Sequence, residues 1–144
     1  MSTIREILDH KGNEVMTVKS QASVLEAIGN MSEANIGAIV IQDGDQPNGI
    51  FTERDYLRKI ALKGRLSDET AVSQVMSSPL ITVESSEAPR AAMEIMTERR
   101  CRHLIVTEGE KMVGIVSLGD LVKHMLQQKE AEVKQLSSYI SGNY

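Results

Sequence analysis

Two seven-residue stretches stand out for the side chains they bring together: Gly49-Ile50-Phe51-Thr52-Glu53-Arg54-Asp55 and Gly114-Ile115-Val116-Ser117-Leu118-Gly119-Asp120. Each sets a hydroxyl residue three positions before an aspartate, where a short apolar run gives way to a helical pattern. Two chemistries are open to such a corner. Ser/Thr-x-x-Asp is itself a capping pattern, in which the hydroxyl closes free backbone N–H groups of the first turn. The same helix start offers unpaired N–H groups and a positive dipole end to a phosphate. The hydroxyl can then donate to the phosphate, and the carboxylate can accept from vicinal ribose hydroxyls. On that reading Asp55 and Asp120 separate nucleosides from bare phosphates, and Gly49 and Gly114 let a flat ring approach the backbone.

Other candidates are less specific. Arg99, Arg100, Arg102 and His103 form a basic knot, either a solvated helix end or a set of phosphate contacts. Cys101 is the only cysteine, so no intrachain disulfide or cysteine zinc cage can form, and a small buried residue is the expectation. His10 and His124 lack ligand spacing, and no metal site is expected. No Gly-x-x-x-x-Gly-Lys-Ser/Thr loop, Gly-x-Ser-x-Gly elbow or Gly-x-Gly-x-x-Gly fingerprint occurs. The expectation is a binder and not an enzyme, with no catalytic residues and no catalytic cofactor.

The elements that position these corners occur twice. Shifted by 65 positions, residues 17–57 lie on residues 82–122 without a gap, and ten of the 41 pairs are identical, among them Thr17/Thr82, Met31/Met96, Gly49/Gly114 and Asp55/Asp120. Unrelated segments would match at about two or three positions, so the chain is a tandem of one design. Thr17-Val18 and Ile81-Thr82-Val83 read as short strands. Ser23-Val24-Leu25-Glu26 reads as a capping box opening a helix with Ala27, Ile28 and Met31 on its apolar face. In the second copy Ser86 precedes Pro89, which a first turn tolerates. Residues 36–41 and Leu104-Ile105-Val106 read as buried strands, followed by polar turns and a third strand at each glycine-led corner. A second helix runs from Asp55 to about Lys63, where Gly64 halts it, and another from Asp120 into the tail.

The expected fold is therefore α+β: two β-α-β-β-α motifs packed sheet to sheet about an approximate twofold axis. Motif 1 spans 8–63, a polar linker 64–74, motif 2 75–126, and a Lys/Glu/Gln-rich helical extension 127–144 ends in a frayed Ser141-Gly142-Asn143. About 60 residues bury too little apolar surface for comfortable stability, so neither motif is expected to stand alone.

The 144 residues are 41% apolar and 25% charged, the balance of a globular protein, with no run long enough to span a membrane. Met1-Ser2-Thr3-Ile4-Arg5-Glu6 has no signal-peptide pattern, and a reducing cytoplasmic setting is the expectation. A net charge of −4 and only four aromatics (Phe51, Tyr56, Tyr139, Tyr144) argue against nucleic-acid binding.

Two copies of a Thr-Val strand, an Ala-x-x-x-Met helix, an apolar strand and a Gly-h-x-Thr/Ser-x-x-Asp ending resemble the CBS-domain pair over residues 8–126. The Gly-Ile-Phe-Thr-Glu-Arg-Asp stretch and the Arg-His-Leu strand resemble small stand-alone bacterial members. The γ subunit of the AMP-activated kinase and the regulatory insert of inosine monophosphate dehydrogenase share the module. The resemblance implies a regulatory binder of adenosine nucleotides (AMP, ADP, ATP or NAD), a disc-like homodimer, and an effector protein that receives the signal. It also implies two clefts between the copies. The first would use Thr52, Arg54 and Asp55, with Leu80 and Ile81 beside the base and Arg102 and His103 at the phosphate. The second would use Ser117, Gly119 and Asp120, with Met16, Ile36 and Gly37 around the base and Lys11 near the phosphates. Arg54 answers to Gly119, and Arg102-His103 to Gly37-Ala38, so the residues favour the first cleft for phosphate.

Overall fold

The structure is a computed structural model that describes residues 2–140. The doubled pattern folds as two three-stranded sheets of identical plan. In the first, β1 (Thr17–Val18) pairs in parallel with β2 (Ala38–Gln42), which pairs antiparallel with β3 (Pro47–Thr52). In the second, β4 (Thr82–Glu84), β5 (His103–Glu108) and β6 (Lys111–Ser117) repeat that order and those directions. Both antiparallel pairs carry a register shift at the same repeat position, between Ile41 and Gln42 and between Val106 and Thr107. The α+β reading holds.

Each parallel crossover runs through one helix. α2 (Val24–Ala34) begins as expected, with Ser23 Oγ accepting from Glu26 N at 3.1 Å. α4 (Pro89–Arg99) has Pro89 in its first turn and Ala88 before it, so it starts without a side-chain cap. Both helices stop at a left-handed residue at the same repeat position, Asn35 (φ 56°) and Arg100 (φ 54°). The helices after the corners differ. α3 makes one turn (Glu53–Asp55) and widens into a π-type segment, Tyr56–Ala61, ahead of Gly64 at φ 65°. α5 runs from Leu118 to Ile140 as a continuous α-helix. The expected fraying of Ser141-Gly142-Asn143 lies outside the described residues.

An element absent from the sequence reading precedes the repeat. α1 (Ile4–Lys11) is capped by Thr3, whose Oγ1 accepts from Glu6 N at 3.4 Å. It buries Ile4, Ile7 and Leu8 in the second copy's core, among Val83, Leu104, Val116 and Leu121. The segment that answers to it 65 residues on does the reverse. Val72 and Val75 enter the first copy's core with Val24, Ile39, Phe51 and Ile60. Residues 64–74, read as a polar linker, thus bury Val72 and hold two 3₁₀ turns. Backbone bonds fix the exchange: Val72 N donates to Ala22 O, and Ile4 N to Glu87 O. Each copy's core is completed by the lead segment of the other, which binds the halves by apolar burial.

Candidate functional site

The first corner is built by capping. Thr52 ends β3 with an extended backbone, and its Oγ1 accepts from Asp55 N at 3.1 Å. Asp55 answers with Oδ2, which accepts from Thr52 N at 3.0 Å and Thr52 Oγ1 at 3.2 Å. Its Oδ1 accepts from Ser77 Oγ at 2.8 Å and faces Lys59 Nζ at 3.0 Å. Lys59 reaches it because it lies four residues along the same helical segment. Four donors occupy both oxygens of a carboxylate only 7% exposed, close to its full accepting capacity.

Around this corner opens a cavity of about 630 Å³. It gathers Thr52, Arg54 and Asp55 from the first copy with Leu80, Ile81, Arg102 and His103 from the second, all seven residues assigned to the first cleft. Arg99 and Arg100 of the basic knot join Arg54 and Arg102 there, and Arg58 adds a fifth arginine that the sequence reading had not named, against the carboxylates Glu53 and Asp55. Arg54 Nη1 donates to Arg100 O at 3.0 Å, a carbonyl presented by the left-handed turn after α4. Arg58 was legible one helical turn beyond Arg54; Ser77 had no local signal. Cys101 is half-buried on the same wall, where desolvation pushes its thiol up, ahead of the lowering by the His103 backbone and Arg99.

The second corner repeats the reciprocal cap. Asp120 N donates to Ser117 Oγ at 3.1 Å, and Ser117 N to Asp120 Oδ2 at 2.8 Å. Lys11, at the end of α1, donates to the same oxygen at 2.6 Å and to Ile115 O at 3.0 Å. Among the described residues, Oδ1 of Asp120 accepts no hydrogen bond. Desolvation pushes this carboxyl up, but the Lys11 ammonium and the Ser117 N–H outweigh it and hold the group below the usual range. The adjoining cavity, about 690 Å³, is lined by Lys11, Met16, Ile36, Gly37, Ser117 and Asp120, six of the seven residues assigned to the second cleft. Gly119 is the exception. It lines a groove along α5 with Ser117, Val122 and Leu126; Arg54, at the same place in the first copy, enters its cavity by a side chain that glycine lacks.

His103 and Gly37 line both cavities. Burial is the main force holding the His103 imidazole below its ordinary value of 6.5; Asp120 and Glu53 oppose it, while Lys11 and Arg102 add to it.

The two glycines of the corners do something other than admit a flat ring. A Cβ on Gly49 would stand 2.7 Å from Met76 Sδ and 2.9 Å from Ser77 O, and one on Gly114 2.8 Å from Leu8 Cδ2. The space belongs to the exchanged lead segments, which cross β3 and β6 at these points. Ile50 N donates to Ser77 O there, and Ser77 N to Ile50 O.

Among the described residues no group of three or more His, Cys, Asp and Glu is placed to hold a metal, and no helix is long and apolar enough to cross a membrane.

Two copies of one unit, each with a capped strand-to-helix corner facing a cavity walled by the other, define a tandem-repeat α+β module. The CBS domain family matches residues 4–62 and 72–127, and the chain belongs to that family. CBS domain-containing protein CBSX3, mitochondrial, of Arabidopsis thaliana is 36% identical over 152 residues, 99% of this chain and 74% of that protein. A solved protein with CBS domains from Burkholderia ambifaria MC40-6 has a TM-score of 0.84 at 41% identity, covering 88% of this chain and 95% of that one. The hexameric CBS-CP12 protein from bloom-forming cyanobacteria has a TM-score of 0.75 at 25% identity, covering 84% of this chain and 70% of that one.

Proposed function

We propose that this chain is a regulatory module whose first cleft binds a phosphorylated adenosine nucleotide (AMP, ADP, ATP or NAD) and which acts by ligand-linked change in its association with an effector or another protomer. The observation that carries this is the cavity at Thr52–Asp55. Five arginines line it beside a helix start, together with the apolar Leu80 and Ile81. Guanidiniums bind phosphate oxygens in pairs, and an apolar wall suits the faces of a base. A ligand touching both copies stabilises the arrangement it fits, by about 2.7 kcal/mol at a hundredfold excess over its dissociation constant. The module binds its nucleotide and does not turn it over, in a cytoplasmic setting.

Melting the protein with millimolar AMP, ADP, ATP, NAD and adenosine tests the reading. It predicts a rise in Tm of several degrees with at least one phosphorylated compound and a smaller rise with adenosine. No shift with any of the five would sink it.

One observation favours a second reading, a ligand-independent interaction module. Ser77 and Lys59 already complete the shell of Asp55, so the carboxylate has a structural role without ribose. Partner affinity that is the same with and without nucleotide would decide for that reading.

A further inference from the structure

The arginines of the first cavity carry more charge than a single phosphate group meets. In a chain of net charge −4, Arg54, Arg58, Arg99, Arg100 and Arg102 line one cavity, and all of them are exposed. Among the described residues none of the five enters an ion pair. Arg54 alone has a side-chain hydrogen bond, to the carbonyl of Arg100. Other arginines of the chain do find carboxylates: Arg5 pairs with Asp9 and Glu108, and Arg90 with Glu94.

The carboxylates that line the cavity do not neutralise this set. Asp55 is met by Lys59 at 3.0 Å. Glu53 lies toward the second cavity. A Cβ on Gly37 would stand 2.5 Å from Glu53 Oε1 and 3.6 Å from His103 Cε1, and Gly37 and His103 line both cavities. Setting Glu53 against the arginines still leaves an excess of about four positive charges. Like charges gathered in one place repel, and an anion that meets them relieves the repulsion. A phosphate monoester brings about two negative charges, half of that excess. NAD brings less, because its phosphates are diesters and its nicotinamide is cationic. A triphosphate tail meets the excess.

The five arginines also divide by their place on the chain. Arg54 and Arg102 adjoin the corner, beside Thr52 and His103. Arg58 follows Arg54 by about one helical turn, and Arg99 and Arg100 end α4. These three stand further along both segments from the corner and have no partner within the chain. Resting on the nucleotide reading of this cleft, we infer that Arg58, Arg99 and Arg100 form a subsite for the outer phosphates of a polyphosphate tail. The cleft then selects a nucleoside triphosphate over the monophosphate and over NAD.

Calorimetric titration of the full chain with AMP, ATP and inorganic tripolyphosphate in magnesium-free buffer tests the subsite, with Arg58→Ala/Arg99→Ala beside the wild type. Arg100 is left in place because its left-handed backbone and its carbonyl hold Arg54. ATP is expected to bind about tenfold or more tighter than AMP, and the variant to lose about that much for ATP but only about twofold for AMP. The melting temperature of the unliganded variant should hold or rise, since two exposed like charges are removed. AMP bound as tightly as ATP overturns the inference and leaves nucleotide binding standing. Equal losses of AMP and ATP in the variant overturn it as well. Tripolyphosphate that matches ATP, with the same loss in the variant, supports the subsite and counts against the adenosine reading. Silence with both ATP and tripolyphosphate overturns the two together.

Discussion

The two corners share one backbone design and differ in what surrounds the aspartate. At the first, the residue after the threonine's neighbour is Arg54, the opposing strand begins Arg102-His103, and four donors enclose Asp55. At the second, those places hold Gly119 and Gly37-Ala38, one lysine serves the carboxylate, and among the described residues one Asp120 oxygen accepts no hydrogen bond. The first cleft is therefore rich in arginine and poor in free carboxylate oxygen; the second is the reverse. A duplicated unit has kept its capping geometry, which folding requires of both copies, while the side chains that line the two cavities have diverged.

The widest gap between the clefts should appear on removing the guanidiniums. Arg54→Ala/Arg102→Ala is expected to weaken ATP by about a hundredfold, since charge-assisted hydrogen bonds contribute about 1.5–3 kcal/mol each. Adenosine should scarcely respond, and calorimetric titration of both ligands reads the difference. Equal losses would erase the distinction between phosphate and nucleoside contacts.

Stability separates the aspartates next. Asp55→Ala removes the acceptor of four donors in a nearly buried setting, at an expected cost of about 2–3 kcal/mol. Asp120→Ala, whose side chain is 24% exposed, should cost about 1 kcal/mol. Urea denaturation of the two variants gives the order, and a reversed order would break the account of the first corner.

The glycines give a smaller contrast. Gly49→Ala presses a methyl on the Ser77 carbonyl, whereas Gly114→Ala presses one on the flexible end of Leu8. The expected costs are about 2–3 and about 1 kcal/mol, again by denaturation. Near-neutral results at both sites would mean that the exchanged segments sit less tightly on β3 and β6.

The smallest effect is with pH. Burial lowers the His103 value, so the unfolded chain takes up its proton first. This contribution to stability is complete above 6.5 and declines as pH falls below it. Bound phosphate reverses the preference, because an anion beside the ring favours the imidazolium. Affinity for a phosphorylated ligand should therefore rise a few-fold, on the order of threefold, between about pH 8 and 6, and His103→Gln should flatten the profile.

How much of this could be read in advance follows from range. The strands, the crossover helices and both caps are local patterns, and ten identities at one offset made the repeat plain. Thr3-x-x-Glu6 carried a capping signal for α1, but the copy alignment begins at residue 17 and gave that helix no counterpart. Its packing against the other copy's core is a long-range fact, as is that of Val72. Gly49 and Gly114 were misjudged for the same reason, since what occupies the space beside them arrives from a distant segment. Ser77 on Asp55 likewise depends on how the halves meet, whereas Arg58, one turn beyond Arg54, and the basic knot of Arg99 and Arg100 were local signals. Gly119 does not line its cavity because it has no side chain where Arg54, at the same helix phase, has a guanidinium.

Calorimetric titration of the purified chain with ATP and with adenosine tests the central claim most directly. The account predicts saturable ATP binding that adenosine does not match and that Arg54→Ala/Arg102→Ala weakens by about a hundredfold. Silence with every adenosine nucleotide, or ATP affinity indifferent to those two arginines, would contradict it.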